Sequence, residues 1–243
     1  MALHFPTRAE RPDLRGAPLL ADIWPAFMYH DPVVNELFMR GIRAAPELQF
    51  CAWDDERDEV VGQGNAVPVA WDGDVDTLPD RGIDAALETS LAENAPASNV
   101  LCALQIMVAP SRRGQGLSGR MIQRMHELGR EQGFDRLIAP VRPILKERYP
   151  LAPIERYVDW RRPDGGLLDP WLRTHERLGA AVVKIAPQSM TIPGSVADWE
   201  EWTEMAFPET GVYVVPGALV PVEIDRERDA GLYVEPNVWM VHG

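Results

Sequence analysis

The sequence predicts a mixed fold, α/β or α+β, built on one main sheet. Three observations predict it: a nearly continuous apolar run at residues 99–108, an amphipathic helical pattern at 117–132, and short strand-like segments before and after this pair. A strand followed by a loop, a helix and a second strand is typical of an α/β unit, while the flanking segments are typical of antiparallel pairing. No low-complexity linker or repeat divides the 243 residues, which indicates a single domain over residues 1–243.

The first hundred residues alternate between helical and extended patterns. Asp31 followed by Pro32 is typical of a helix N-cap with proline in the first turn, and Pro25 interrupts an earlier helical spacing. The charged turn DDERDE between two apolar segments indicates a β-hairpin. The expected elements are two short helical pieces within 17–29, a helix from 32 to about 42, strands at 48–53 and 60–71, and a helix at 83–91.

The second part of the chain starts with the apolar run, which suits a strand buried on both faces. Leu117, Met121, Met125 and Leu128 form one stripe of the following helix, and Gly133 and Gly179 are placed to end helices. The expected elements are strands at 99–108, 136–139 and 180–186, helices at 117–132 and 171–178, a Pro-rich irregular segment at 140–169, and short late strands with one helical turn at 198–202.

The charge of the chain argues against polyanionic partners. Its 24 lysines and arginines stand against 37 aspartates and glutamates, a formal net charge of −13. Nucleic acids and anionic membrane surfaces attract an excess of basic side chains, so neither is an expected partner. The N-terminal segment lacks the apolar core of a signal peptide, and no apolar stretch is long enough to span a bilayer. Together these features predict a cytoplasmic protein.

The two cysteines predict neither a disulfide framework nor a metal site. Cys51 and Cys102 lie in apolar segments, and neither belongs to a CxxC motif or to a Cys/His cluster. We therefore expect two buried, reduced thiols and no bound metal.

The glycine-rich segment VAPSRRGQGLSGRM, residues 108–121, is the most informative part of the chain. Gly114, Gly116 and Gly119 formally spell the dinucleotide-binding fingerprint G-x-G-x-x-G, with Asp135 about twenty residues later. Two features contradict that interpretation: APSRR separates the strand from the first glycine, and Asp135 precedes the next strand instead of ending it. An oxidoreductase with a dinucleotide site therefore stays a minor alternative. A P-loop is excluded because no Lys-Ser/Thr pair follows the last glycine.

What the segment does offer is an anion-binding loop. Its glycines let backbone N–H groups approach a ligand closely, the N-terminus of the following helix favours negative charge, and Arg112 and Arg113 add charged donors. Residues 111–148 contain nine basic and four acidic side chains, a local charge of +5, which leaves −18 for the rest of the chain. This local chemistry suits the pyrophosphate of a small cofactor.

The segment resembles the acetyl-CoA-binding signature of the GCN5-related N-acetyltransferases (GNAT). That signature is V-x-P-x-x-R-G-x-G, which stands here as Val108, Pro110, Arg113, Gly114 and Gly116. The family's motif has Gln or Arg three residues before the first glycine, where this sequence has Ser111. Residues 174–185, THERLGAAVVKI, resemble the family's second conserved element, a short helix that ends in Leu-Gly before a strand. The resemblance covers about 99–139 and 171–186, whereas the last sixty residues match no element of the family.

The resemblance implies a GNAT fold, with a central mixed, largely antiparallel twisted sheet whose middle strands splay apart and are flanked by helices. It implies a CoA-binding core at about 99–186 and leaves a β-rich C-terminal extension at about 187–243. Acetyl-CoA or another acyl-CoA would be the cofactor, with pantetheine between the splayed strands that end at Val108 and begin at Arg136. An N–H near Val108 would polarise the thioester carbonyl. The implied cofactor-binding residues are Ile106, Met107, Val108, Arg112, Arg113, Gly114, Gln115, Gly116, Leu117, Ser118 and Gly119.

The catalytic acid and base are less marked. In the family the acid is a Tyr four residues before the glycine of the Leu-Gly pair, and counting back from Gly179 gives His175, whose pKa suits proton donation near neutrality. Tyr149 and Tyr157 are further candidates. The strand before the signature holds no carboxylate, only Gln105, and so no general base is evident. The carboxylates considered for a water-relayed role are Asp54, Glu155 and Glu235.

The expected function is direct acyl transfer from acetyl-CoA or a related acyl-CoA to a small amine. The acidic remainder of the chain favours a cationic acceptor. The aromatic residues Trp24, Phe27, Tyr29 and His30 suit either an aromatic or apolar acceptor site or ordinary core packing. Three alternatives stay open: a silent acyl-CoA-binding domain, transfer to a hydroxyl, and chemistry on another acyl thioester. A homodimer joined by late strands is also open.

Overall fold

The structure is a computed structural model that describes residues 3–14, 23–93 and 97–243. The strands of this part are β1 (Leu3–His4), β2 (Phe50–Asp54), β3 (Glu59–Val69), β4 (Val100–Val108), β5 (Leu137–Val141), β6 (Ala180–Gly194), β7 (Gly211–Tyr213), β8 (Val222–Asp225) and β9 (Ala230–His242). The α-helices are α1 (Pro32–Ala44), α2 (Gly82–Ser90), α3 (Leu117–Glu131), α4 (Ile154–Tyr157), α5 (Pro170–Arg177) and α6 (Val196–Thr203). These elements confirm the mixed α/β class.

One sheet connects all the described strands, in the order β1-β2-β3-β4-β5-β9-β8-β7, with β6 paired to β9. Within the described residues only the β4–β5 pair is parallel, so the sheet is mixed and largely antiparallel, as the sequence predicted. The terminal strand β9 lies between β5 and β6 and is paired within its own chain.

Local sequence signals explain where the helices start and which faces they bury. Asp31 accepts a hydrogen bond from the Val34 N–H at 2.8 Å, and Pro32 occupies the first turn of α1, so the predicted N-cap is confirmed. The predicted stripe of α3 is buried against the sheet. Gly133 follows that helix with φ +86°, a left-handed conformation that glycine adopts without strain.

The helices cover both faces of the sheet. Leu101 and Ala103 of β4 pack into one core cluster with the α3 stripe and Leu172 of α5. Val100 and Cys102, on the other face of the same strand, pack with Ala86 of α2 in a separate cluster. We call these the α3 face and the α2 face.

A third core cluster lies on the late strands and combines side chains from residues after 187 with side chains from the N-terminal part of the chain. Trp199 of α6, Tyr233 of β9 and Phe27 of a 3-10 helix at Ala26–His30 pack together in it. Phe27 is therefore a core residue, whereas the earlier helical piece predicted within 17–29 lies largely outside the described residues. Strand β6 is twice as long as predicted because it pairs along most of β9, with an irregularity between Ala186 and Met190.

Two absences bear on the predictions from composition. In the described ranges, no helix is both long enough and apolar enough to cross a membrane. Cys51 and Cys102 are buried free thiols; burial raises the pKa of Cys51 to about 11 and that of Cys102 still further, so both stay protonated near neutrality.

Candidate functional site

The central feature of the site is a V-shaped opening between β4 and β5. The two strands pair only at Leu101 with Leu137 and at Cys102 with Ile138. Beyond these pairs they separate, because the other edge of β5 pairs with β9 along its full length, from Leu137 to Val141. We call this opening the V: its closed end lies at the paired residues and its open end at Val108 and Val141. The splayed middle strands predicted from the resemblance are thus present.

A bulge in β4 decides which backbone groups face the V. Asn65 of β3 pairs with Gln105, and Ala66 pairs with Ala103, so Leu104 is the extra residue on β4. An extra residue reverses the alternation of the strand, so that after it the opposite set of N–H and C=O groups points toward β5.

Two hydrogen bonds fix this alternation on either side of the bulge. The Leu101 N–H donates to Arg136 O at 3.0 Å, toward β5, whereas the Ala109 N–H donates to Val61 O at 2.9 Å, toward β3. Val108 and Ile106 therefore direct their N–H and C=O groups into the V, where β5 has diverged. Met107 pairs with Gln63 of β3 and directs its backbone away from the V. Of the three β4 residues predicted to bind the cofactor, the geometry suits Ile106 and Val108 but not Met107.

The open end of the V leads into the glycine loop and the N-terminus of α3. Gly114 and Gly116 have φ values of +74° and +76°, and a Cβ on either would meet nothing within 4 Å. Gly116 is the N-cap of α3, and no side chain of the described residues caps that helix. The N–H groups of Leu117, Ser118 and Gly119 belong to the first turn, which has no intrahelical acceptor for them. This is a site for an anion such as pyrophosphate.

The two arginines beside the loop have different surroundings. Arg113 is exposed next to Gly114. Arg112 is only 6% exposed, and its Nη2 donates to Oδ2 of Asp54, a fully buried carboxylate at the end of β2. The sequence predicted both arginines as cofactor ligands, but the structure directs the Arg112 guanidinium into the fold. A sequence pattern cannot distinguish the two, because the partner of Arg112 is 58 residues away.

The structure also departs from the prediction that His175 acts as an imidazolium acid. Its ring is 2% exposed, stacks edge-on against Trp171, and has Nδ1 2.9 Å from Nε2 of His242. Desolvation, together with the neighbouring His242, lowers the pKa of His175 to about 3, so it is neutral at pH 7. His242 pairs with Leu137, the first residue of β5, which places both rings at the closed end of the V. His175 faces the core because it shares the buried stripe of α5 with Leu172.

The tyrosine candidates lie in the segment that follows β5. Tyr157 is buried and donates to Asp169 Oδ2 at 2.8 Å; burial and that carboxylate raise its pKa well above its usual range. Tyr149 is 40% exposed and packs edge-on against Trp160. The Tyr157 hydroxyl is therefore buried and hydrogen-bonded within the fold, whereas the Tyr149 side chain is partly exposed to solvent.

The carboxylates considered for a base occupy three separate places. Asp54 is paired with Arg112 on the loop side, as described above. Glu235 is fully buried, with both oxygens 3.0 Å from Arg142 Nε and one accepting from the Tyr233 hydroxyl. Glu155 is exposed on α4. The structure does not bring them together.

A buried polar cluster on the α2 face was not anticipated from the sequence. Asp31, besides capping α1, accepts from Thr191 N at 2.9 Å and lies beside Asp84. Desolvation, followed by the Asp31 charge, raises the pKa of Asp84 to about 8. Asp84 is thus largely protonated at neutral pH. The sequence signal that could have predicted this cluster is Asp84 itself, a charged residue type on the buried side of α2.

The same cluster continues toward the open end of the V. Asn237 donates to Ser189 Oγ at 2.9 Å and to Pro140 O at 3.3 Å, next to the last residue of β5. Ser189 in turn accepts from the Ile83 N–H at 3.0 Å, which ties the irregular part of β6 to the first turn of α2. The N-terminal ends of α1 and α2 are therefore fixed to the late strands at this point.

A cavity of about 550 Å³ lies on the α2 face near the closed end of the V. Apolar side chains form much of its lining, including Trp71, Leu78, Ile138 and Trp239, and Asp72, Thr77 and Asn99 are among its polar residues. Ile138 is also the last residue of β5 that pairs with β4, so the cavity adjoins the point where the V begins. Among the described residues, no group of three or more His, Cys, Asp or Glu side chains is arranged to hold a metal ion.

Comparison with known proteins agrees with this geometry. The sequence profile described as the Acetyltransferase (GNAT) family matches residues 17–151, more than half of the chain. Arginine N-acetyltransferase avaD of Aspergillus versicolor is 36% identical over 270 aligned positions, which cover 97% of this chain and 92% of that protein.

Solved structures with the same fold are more distant in sequence. The loading GNATL domain of CurA from Lyngbya majuscula superposes with a TM-score of 0.61 at 20% identity, covering 99% of this chain and 96% of that one. The GphF GNAT-like decarboxylase, solved in complex with isobutyryl-CoA, superposes with a TM-score of 0.59 at 17% identity, covering 100% and 99%. At these identities the similarity concerns the fold.

Proposed function

Because the chain belongs to the GNAT acetyltransferase family and is an acyl-CoA-dependent acyltransferase, we propose that it acetylates a small cationic amine of the arginine class, with acetyl-CoA as donor. The proposal that acetyl-CoA is the donor is supported by the V. The backbone of Ile106 and Val108 faces it, and the uncapped N-terminus of α3 lies at its open end. The acceptor half rests on the similarity to a protein named as an arginine N-acetyltransferase and on the charge distribution, −13 overall with +5 in residues 111–148.

The chain's own groups divide the work of binding the donor. The N–H groups from Gly114 to Gly119 and the Arg113 side chain would hold the pyrophosphate, because within the described residues they are the donors left available at a positive helix end. The backbone of Ile106 and Val108 pairs with the pantetheine amides as an added strand would. Bound there, acetyl-CoA supplies an activated acyl group as a thioester. Because the pyrophosphate is held at the open end, pantetheine would extend from Val108 toward the closed end of the V, and a β4 N–H near Val108 on that side would polarise the thioester carbonyl.

We place the acceptor on the α2 face, where the 550 Å³ cavity adjoins the V. A substitution of Thr89, which lines this cavity from α2, tests the placement. Thr89→Phe should raise the KM of the amine while the affinity for CoA, measured by calorimetry, stays unchanged. An unchanged amine KM would move the acceptor elsewhere. We also propose that the reaction takes place in the cytoplasm, since both cysteines are free thiols.

The decisive experiment is a thiol-release screen. Purified protein is incubated with acetyl-CoA, or with acyl-CoAs of increasing chain length, and a panel of arginine, agmatine, lysine, an aromatic amine and a neutral amine. We expect free CoA to form fastest with acetyl-CoA and a guanidine-bearing amine, and the product to carry one added acetyl group by mass spectrometry. Release that is equally fast without any amine, or that prefers a hydroxyl compound, would overturn the proposal.

A further inference from the structure

The buried pair Arg112–Asp54 is an unusual feature at the mouth of a phosphate-binding loop. A cation in the loop would be expected to face the ligand, yet the Arg112 guanidinium points inward and Asp54 balances its charge. The electrostatic attraction for pyrophosphate is therefore left to Arg113 and the helix N-terminus. The chain maintains a buried ion pair that, as a pair, adds little net charge to the site.

The position of Arg112 shows which part of the loop the Arg112–Asp54 ion pair fixes to the sheet. Pro110–Arg112 form a single 3-10 turn, in which the Arg112 N–H donates to Ala109 O at 2.8 Å and the Arg113 N–H donates to Pro110 O at 3.3 Å. Gly114, the first residue with a left-handed conformation, follows two positions after Arg112. The side chain of Arg112 thus anchors the end of the 3-10 turn, two residues before the glycine segment whose N–H groups point outward.

The other end of the anchor is fixed by the sheet. Asp54 is the last residue of β2 and pairs with Leu3 on one side and Glu59 on the other. Asp54 is fully buried, and so a variant that neutralised only Asp54 would remove the carboxylate that balances the buried charge of Arg112. The turn would then be displaced toward solvent, and the glycine segment with it.

We propose that Asp54 is a positioning residue for donor binding: acting through Arg112, it holds the loop so that the N–H groups from Gly114 to Gly119 converge on the pyrophosphate. The inference rests on the proposed donor site and deepens it. It also gives a role to a carboxylate that sequence reasoning considered as a base. Asp54 lies on the loop side of the V, where it pairs with Arg112.

The test uses Asp54→Asn and two donors, one with a pyrophosphate and one without. Calorimetry should show the Kd for CoA rising by at least about tenfold, the factor that corresponds to losing one well-oriented charge-assisted contact. The rate with the acetyl thioester of N-acetylcysteamine, which has no pyrophosphate, should match that of the wild type. Glu131→Gln is the control: it breaks the exposed Arg124–Glu131 pair on α3 and should change neither readout.

A double variant keeps the test decisive if Asp54→Asn folds poorly. Asp54→Asn with Arg112→Gln leaves no buried charge, so it should fold, yet it lacks the anchor and should bind CoA as weakly as Asp54→Asn. Unchanged CoA affinity in both variants, or an equal loss of rate with both donors, overturns the positioning role. If wild-type protein failed to bind CoA, the donor site itself would be overturned; unchanged CoA affinity in the variants alone would leave the proposed function standing.

Discussion

The two ends of the V contain polar groups in opposite states. At the open end, Gly114 and Gly116 carry backbone N–H groups that face outward beside the exposed Arg113. At the closed end, the rings of His175 and His242 are buried and hydrogen-bonded to each other. Groups of the first kind are poised for a ligand, whereas burial keeps the second kind neutral and removes them from solvent. The difference shows that nearness to the cleft does not decide which groups can meet a ligand: those at the open end face outward, whereas the two rings at the closed end face each other.

The largest expected effect comes from changing the conformation of the open end. Gly116→Val should raise the Kd for CoA by at least about tenfold, because a β-branched residue at φ +76° costs about 1–2 kcal/mol and the loop relaxes away from the conformation that aims its N–H groups. Gly133→Val is the matched control. Gly133 also has a positive φ and open space around it, but lies after the C-terminal end of α3. It should lower the thermal midpoint and leave CoA affinity unchanged; equal binding losses would contradict the prediction.

The charge of the open end gives the next effect. Arg113→Glu should weaken CoA binding by roughly tenfold at low salt, because it replaces a cationic donor by a carboxylate that repels the negatively charged pyrophosphate. This loss of affinity should shrink as ionic strength rises. Arg130→Glu reverses an exposed charge in the last turn of the same helix and should have little effect on CoA affinity. Calorimetry at two salt concentrations measures both. Identical behaviour of the two variants would remove Arg113 from the site.

The buried Asp31–Asp84 cluster on the α2 face is expected to affect the pH dependence of the free energy of unfolding. Folding raises the pKa of Asp84 from 3.8 to about 8, so between about pH 4 and 8 the folded state binds more protons than the unfolded state, and stability falls as pH rises through this range. Asp84→Asn does not titrate and still offers a donor to Asp31.

The advantage of Asp84→Asn over the wild type should therefore grow with pH, by up to about 1.4 kcal/mol per unit between pH 5 and 7.5. Urea unfolding at several pH values measures it. The exposed Asp135→Asn should show no such trend. A constant difference at all pH values would mean that Asp84 is ionised in the folded protein.

The smallest effect on catalysis is expected at the closed end. His175→Gln should keep kcat within about twofold of the wild type, since a neutral, buried ring is not the proton donor. Its effect should appear in stability instead. The lowered pKa of His175, about 3, means that the unfolded state binds the extra proton below pH 6.5, so that wild-type stability is lost as pH falls, and the variant should be less sensitive to acid. A large fall in kcat with unchanged donor KM would restore His175 as the acid.

Local sequence determined much of the fold. The positions of β4, α3 and β5 follow from an apolar run, a stripe of four residues at helical spacing and a glycine stop, because these patterns act within a few residues. The glycine loop was identifiable for the same reason. Glycine is the residue that adopts a left-handed conformation without strain, so its spacing before a helix predicts where N–H groups are left free.

Only the tertiary structure decided which charged and polar residues face the site. Arg112 and Arg113 are adjacent and chemically identical, but a carboxylate 58 positions away turns one of them inward. His175 lies four residues before Gly179, as the sequence shows, but its hydrogen-bond partner His242 is 67 residues away. Likewise, the single bulge at Leu104 determines that Ile106 and Val108, and not Met107, face the V. Partners and register depend on contacts between distant segments, and a local pattern does not contain them; burial then sets the charge of each group.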